Sequence, residues 1–144
     1  MKEMIHPLEK IIAQFPKEKW LKISITNKTT LRSRENFLKI AQEQRVTTES
    51  TSALDAFIRA IGVEGNHKFP GEERDLWIGF HLAILYMEAE RWDQALETVY
   101  ITFDHIDQLQ IDKVGREQIE IYKDVFWDLG VIITARIDAV KAAS

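Results

Sequence analysis

Apolar residues recur at helical spacing along most of the chain after Glu72, and this pattern restricts the possible folds more than any other feature. It predicts three helices: Glu72 to Glu90, Asp93 to about Gln110, and a last helix from after Asp112 to the C-terminus. The main apolar stripe of the last helix contains Ile119, Tyr122, Phe126, Leu129, Ile133, Ile137 and Val140. Further apolar residues lie outside this stripe. A helix that is apolar on most sides is buried on most sides. We therefore expect it to be either the central helix of the domain or part of a subunit interface.

The first part of the chain has a more interrupted pattern. Residues 4–15 have helical spacing that ends at Pro16, and Trp20 to Ile25 alternate as in a half-buried strand. Asn27 to Thr30 is predicted to be a polar break. Leu31 to Arg45 returns to helical spacing and predicts another helix.

Polar clusters predict where the next helix begins and ends. Thr47 to Ser52 is rich in hydroxyl residues, which favour helix caps over helix interiors. Ser52 to Asp55 resembles a capping box, with Asp in place of Glu. The helix that follows is predicted to end at Gly62, and residues 63–71 are predicted to form a loop.

The predicted fold class is all-α, with one short N-terminal strand as the only other candidate element. A chain of 144 residues fits a single domain, residues 1–144. We expect a compact bundle of five or six helices. Its two halves, 1–62 and 72–144, are expected to be joined by the loop over 63–71.

The composition excludes several classes of site. The chain has no cysteine, so disulfides, thiolate zinc sites and cysteine nucleophiles are excluded. The longest apolar stretch, Leu82 to Met87, is far shorter than the roughly 20 residues of a membrane span. No apolar run typical of a signal peptide follows Met1. We expect a cytoplasmic protein without a membrane partner.

Charge is distributed unevenly along the chain. Residues 1–68 carry 12 Lys and Arg and 8 Asp and Glu, whereas residues 69–144 carry 7 and 15. A basic first half favours nucleic acid or an acidic protein as a partner. The alternative is an ordinary solvated surface on which the asymmetry arose by chance.

Small and aromatic residues in one predicted helix pair follow a fixed order: Leu82, Ala83 and Tyr86, then Trp92 and Ala95. Over residues 79–107 only, this order resembles a single tetratricopeptide repeat. Four other positions that mark the family hold different residues here, namely Gly79, Val99, Thr102 and Asp107. The resemblance implies a helical hairpin that binds another protein or a second copy of itself. The alternative is an ordinary antiparallel helix pair.

A second, weaker resemblance covers residues 21–62. A short predicted strand precedes two predicted helices, which is similar to the ribbon–helix–helix family of DNA-binding proteins, many of them antitoxins. The residues that the resemblance assigns to DNA are Lys22, Ser24 and Thr26 on the strand, and Arg32 and Arg34 after it. The glycine that the family places between the helices is missing. The alternative is a plain helix–helix core.

A third resemblance rests on Arg74 and His81. Their spacing of seven residues, nearly two helical turns, is similar to the motif of HEPN-type ribonucleases. The resemblance implies that Arg74 stabilises a phosphorane and that His81 transfers a proton. The alternative is a surface arginine and a structural histidine near Trp77 or Tyr100.

No metal site and no cofactor are expected. Asp104 and His105 are adjacent on one predicted helix and point in different directions. The two Glu-x-x-His pairs, Glu3 with His6 and Glu64 with His67, lie in the N-terminal segment and in the predicted loop. A di-metal bundle needs such pairs on core helices, so chance explains them better.

The aromatic residues of the second half are the candidates for partner binding. They are Trp77, Trp92, Tyr100 and Trp127. Each tryptophan lies in or beside an apolar stripe and can instead anchor the core, whereas an exposed one is typical of a binding hot spot. The favoured function is a non-enzymatic protein–protein interaction or oligomerisation module whose partner is an unidentified protein or a second copy. DNA binding and ribonuclease activity are the alternatives.

Overall fold

A computed structural model describes residues 25–41, 48–68, 73–109 and 115–143. Within these residues the predicted all-α class is confirmed, and no β-strand is present. The helices are α1 Lys28–Ala41, α2 Thr48–Lys68, α3 Glu73–Glu88, α4 Trp92–Asp107 and α5 Arg116–Ala143. The predicted helix over residues 4–15 lies outside the described residues, as does the predicted strand apart from Ile25, which is not in a strand.

The start of α1 corrects the polar break predicted over Asn27 to Thr30. Asn27 acts as the N-cap, because its side-chain Oδ1 accepts the backbone N–H of Thr29 at 2.9 Å. The carboxylate of Glu64, on α2, accepts the backbone N–H groups of Thr26 at 2.9 Å and of Asn27 at 3.3 Å. A negative charge at the N-terminus of a helix also interacts favourably with the helix dipole. The polar residues therefore begin the helix instead of separating two elements.

The start of α2 lies before the predicted capping box. The helix includes Thr48 to Ser52, so Ser52 and Asp55 are inside it and form no cap at its beginning. Ser50, in this first part of α2, is buried. Burial of Ser50 and, in the next turn, of Ala53 outweighs the weak helix preference of the hydroxyl residues.

The end of α2 corrects the predicted stop at Gly62 and the predicted loop over residues 63–71. The helix continues to Lys68. Ile61 and Gly65, on either side of Gly62, are buried against the rest of the bundle. Most of the stability of a protein helix comes from such tertiary packing, so the local stop signal is overridden.

Helix α3 lies between two clusters of apolar side chains and contributes to both. Trp77 and Leu85 of α3 join the cluster built by α1 and α2, which also contains Phe37, Ala41, Ala53, Phe57 and Ile61. Leu76, Phe80, Ala83, Ile84, Tyr86 and Met87 join the cluster shared with α4 and α5. Because 10 of its 16 residues are buried, α3 is the central helix of the described bundle.

A short turn makes α3 and α4 antiparallel neighbours. Glu90 has φ 59°, and the Arg91 N–H donates to the Tyr86 carbonyl at 2.9 Å, which is a Schellman type of helix end. The two helices then meet at a glycine. A Cβ added to Gly79 would lie 2.2 Å from Oγ1 of Thr102, so only glycine fits there. This contact fixes how closely α3 and α4 approach.

Helix α5 supplies a large part of the second cluster with one of its sides. Ile119, Tyr122, Val125, Phe126, Leu129 and Ile133 are buried, whereas Trp127, Val131 and Val140 are more than half exposed. The last helix was expected to be either central or part of a subunit interface. The structure places its main stripe in the core as far as Ile133. None of the described helices is long and apolar enough to cross a membrane.

Two buried tyrosines, Tyr86 on α3 and Tyr122 on α5, have raised pKa values. The hydroxyl of Tyr122 on α5 donates a hydrogen bond to the carboxylate of Glu73 at the start of α3. Burial, and next this hydrogen bond, raise the pKa of the Tyr122 phenol above its ordinary value. Burial also raises the pKa of Tyr86, although the nearby charge of Arg91 opposes the increase. Both phenols are therefore held in the neutral form.

Candidate partner-binding surface on helices α4 and α5

The structure separates the four aromatic residues predicted to bind a partner. Trp77 is only 4% exposed and belongs to the core, so a partner cannot reach it in this conformation. Trp92 is half-buried against the second cluster. Tyr100 and Trp127 are 61% and 67% exposed. The prediction for Trp77 is thus corrected, whereas Tyr100 and Trp127 are available for binding.

Helices α4 and α5 lie side by side in antiparallel order. A Cβ added to Gly130 would be in ordinary contact, 3.7 Å, with Val99. The rings of Phe103 and Phe126 are 6.5 Å apart between centroids. Along α4 the contacts therefore move from Val99 to Phe103 while along α5 they move backwards from Gly130 to Phe126. These residues mark the side of each helix that faces the other.

Tyr100 and Trp127 lie on the same outer side of this helix pair. Each follows by one position a residue that faces the other helix, and one position is a rotation of about 100°. Since the two helices run in opposite directions, equal rotations turn both side chains to the same side of the pair. Their exposure shows that this side is the outer one and not the core.

One further apolar side chain extends this outer side. Val131 is 54% exposed and lies one turn after Trp127 on α5. We call these three residues, Tyr100, Trp127 and Val131, the outer aromatic surface. Val131 is not among the candidates predicted from the sequence, although its position off the main apolar stripe of the last helix is a signal that could identify it.

Carboxylates surround the outer aromatic surface. Exposed Glu97 and Asp104 lie one turn before and after Tyr100 on α4, and exposed Asp124 lies one turn before Trp127 on α5. Helix α4 contains four acidic residues and no Lys or Arg, and α5 contains five acidic and four basic residues. The basic residue nearest to Trp127 along α5 is Lys123. The surface is therefore apolar at its centre and mainly negative at its edges.

The residues assigned to DNA are differently placed. Arg34 forms an ion pair with Glu88 at the end of α3, and Thr26 donates to Glu64, so both have structural partners within the bundle. Arg32 is exposed on α1. Lys22 and Ser24 lie outside the described residues. Of the three residues of this set that the structure describes, Thr26 and Arg34 bind other residues of the bundle, and Arg32 is exposed to solvent.

Arg74 and His81 do not form an open reaction centre. His81 is 6% exposed and contacts the rings of Trp77 and Phe80 edge-on, at 4.7 and 5.2 Å between centroids. Arg74 lies at the surface and donates to Asn66 at 2.7 Å and to Asp75 at 3.2 Å. A substrate that contacts Arg74 cannot reach the buried imidazole without a change in packing.

Metal-binding residue types are scattered over the described helices. No group of three or more His, Asp or Glu side chains that could hold a metal ion occurs in the parts of the chain that the structure describes. The carboxylate of Glu64, in the Glu64–His67 pair, accepts hydrogen bonds from the backbone at the start of α1. Nδ1 of His105 on α4 lies 3.9 Å from a carboxylate oxygen of Asp75 on α3.

No protein-family model, no curated protein and no solved structure matches this chain. The resemblances to a tetratricopeptide hairpin, to ribbon–helix–helix proteins and to HEPN-type ribonucleases stay predictions, and the surface geometry alone has to carry a functional proposal.

Proposed function

We propose that this protein is a non-enzymatic interaction module that binds another protein through the outer aromatic surface. One observation carries the proposal: Tyr100 and Trp127 are each more than 60% exposed on the same side of two adjacent helices. Tyr and Trp are the residues most enriched at the energetic centres of protein interfaces. Their ordinary place in a bundle of this size is the core, where Trp77 lies.

The energetic argument is the cost of leaving these side chains in water. Full burial of one large apolar side chain contributes about 1.5–3 kcal/mol. The three side chains of the outer aromatic surface together expose on the order of 400 Å². The largest apolar patch on an ordinary monomer has about this size and is often functional.

A comparison of variants in an affinity-capture experiment tests the proposal. The immobilised wild-type protein should retain a protein from the native host that the Tyr100→Ala/Trp127→Ala variant retains at least tenfold less. The matched control is Ile58→Ala/Val63→Ala, which removes two exposed apolar side chains from α2. Circular dichroism should show all three proteins equally folded. Equal retention by the two variants, or no retention by the wild type, would contradict the proposal.

A further inference from the structure

The chemistry of the outer aromatic surface restricts what can bind to it. We propose that its partner is a basic amphipathic helix of another protein, with apolar residues on one side and Lys or Arg beside them. This inference rests on the proposed function, because it specifies the partner of the same surface. It follows from the charges at the edges and the shape of the helix pair.

The charges at the edges select a cationic partner. Tyr100 lies between Glu97 and Asp104, and α4 has no Lys or Arg to balance them. The nine acidic residues of α4 and α5 outnumber their four basic residues. Opposite charges at the edge of an interface accelerate association and exclude partners of the same sign. Phosphate groups of nucleic acids and anionic lipids are repelled by this surface for the same reason.

The shape of the surface fits a helix. Two antiparallel helices in contact leave a shallow groove between them, and Tyr100 and Trp127 lie on either side of it. An amphipathic helix places apolar residues at i, i+3, i+4 and i+7 into such a groove. α4 is 16 residues long, which is about 24 Å, so a partner helix of four to five turns would cover it. Its Lys and Arg side chains would then meet Glu97, Asp104 and Asp124.

The same observations argue against a second copy as the occupant. Two copies joined through this surface would place one acidic edge against the other, and like charges in contact cost several kcal/mol. The apolar area of about 400 Å² is close to the apolar share of the roughly 800 Å² that each partner contributes to an interface of standard size. Charge, and not area, therefore decides between the two occupants.

Synthetic peptides test the inference with the full-length protein. The probe is a fluorescein-labelled peptide of about 16 residues, with Leu at i, i+3, i+4 and i+7 and Lys elsewhere, and anisotropy reports binding. Two control peptides replace Lys by Glu, or keep the composition in scrambled order. We expect the Leu/Lys peptide to bind at least tenfold more tightly than either control. Raising the NaCl concentration from about 0.05 to 0.5 M should weaken its binding severalfold.

Protein variants locate the binding. Trp127→Ala should weaken binding of the Leu/Lys peptide at least tenfold, and Glu97→Gln/Asp104→Asn should weaken it about three- to tenfold and reduce its salt dependence. Ile58→Ala/Val63→Ala should have no effect. Equal binding of the Leu/Glu peptide, lost on Trp127→Ala, would overturn the basic partner while the docking surface stands.

Other outcomes bear on both proposals. No binding of any peptide, together with unchanged affinity capture by the Tyr100→Ala/Trp127→Ala variant, would overturn the proposed function as well. A mass that doubles with concentration in sedimentation equilibrium, and does not double for Trp127→Ala, would identify a second copy as the occupant and overturn the basic-helix partner.

Discussion

Helix α3 packs against neighbours on two sides, and the two contacts differ in what limits their closeness. Toward α4, Gly79 meets Thr102, a β-branched residue on a buried helix face, and an added Cβ would be 2.2 Å from its Oγ1. Toward α2, the glycine is on the other helix: a Cβ added to Gly65 would lie 3.1 Å from Cγ of Arg74 and 3.2 Å from the ring of Trp77. The first contact therefore leaves no room for a methyl group, whereas the second would admit one after a small shift of the neighbouring side chains.

The difference indicates how the bundle divides its rigidity. α3 and α4 are joined backbone to side chain, and Thr102 is itself held by a hydrogen bond of 2.7 Å to the carbonyl of Thr98. On the other side of α3, the side chains that lie against Gly65 are the larger ones of Arg74 and Trp77, and α1 is joined to α3 by the ion pair between Arg34 and Glu88. Side chains with several torsions can adjust by a few tenths of an ångström, whereas a threonine in a helix has few alternatives.

The largest expected effect comes from Gly79→Ala. Because the new methyl group overlaps Thr102, α3 and α4 must separate, and we expect the free energy of unfolding to fall by about 3 kcal/mol or more. Urea denaturation followed by circular dichroism measures this loss. Adding Thr102→Ala removes the two nearest atoms and should restore most of the stability, which makes the pair non-additive. Additive losses in the two single variants and the double variant would show that the overlap is not the cause.

A smaller effect is expected from Tyr122→Phe, which removes the hydrogen bond between α5 and Glu73. The loss should be about 1–2 kcal/mol at pH 7. Since the folded protein raises the pKa of Tyr122 above the ordinary 10, its contribution is fully present below pH 10 and is lost as the pH rises further.

Alkaline unfolding measures this contribution. The free energy of unfolding of the wild type should fall more steeply above pH 10 than that of Tyr122→Phe. Tyr100→Phe, which removes an exposed hydroxyl, serves as the control and should leave stability at pH 7 unchanged. Identical slopes for the wild type and Tyr122→Phe would contradict the rise of the Tyr122 pKa on folding.

The smallest effect is expected from Gly65→Ala, at the contact between α2 and α3. Gly65→Ala gains roughly 0.5–1 kcal/mol of helix preference but must displace the buried ring of Trp77, so we expect a net loss of about 1 kcal/mol. Gly62→Ala is the matched control on the same helix, because a Cβ there meets nothing within 4 Å. It should stabilise the protein by about 0.5–1 kcal/mol. Thermal unfolding of both variants provides the measurement, and a gain in both would mean that the contact at Gly65 is looser than its distances indicate.

The sequence predicted the second half of the fold better than the first. The helices predicted from Glu72 to Glu90 and from Asp93 to about Gln110 agree with α3 and α4 within a few residues, because a sustained apolar period is a strong local signal. The predicted end of α2 at Gly62 is wrong, because the helix continues to Lys68. A glycine is a common signal for a helix end, but here the packing of residues on both sides of Gly62 keeps the chain helical.

The candidate surface was predictable only in part. Tyr100 and Trp127 were named as candidates from the sequence, but so was Trp77, which is buried. An aromatic residue beside an apolar stripe can face the core or the solvent, and only the packing of the helices determines which of the two it faces. Helical spacing predicts the carboxylates on either side of Tyr100. It does not predict that α5 brings Trp127 to the same side, because that depends on how the two helices pack.

The carboxylate that caps α1 belongs to a residue 38 positions after Thr26 in the chain. The first turn of α1 is therefore completed by an acceptor that reaches it only when α2 has docked. In a hydrogen-exchange experiment, the amide protons of Thr26 and Asn27 would report the association of the two helices and not the formation of α1 itself. A peptide that ends at Ala41 lacks this acceptor, and its helix would fray from the N-terminus.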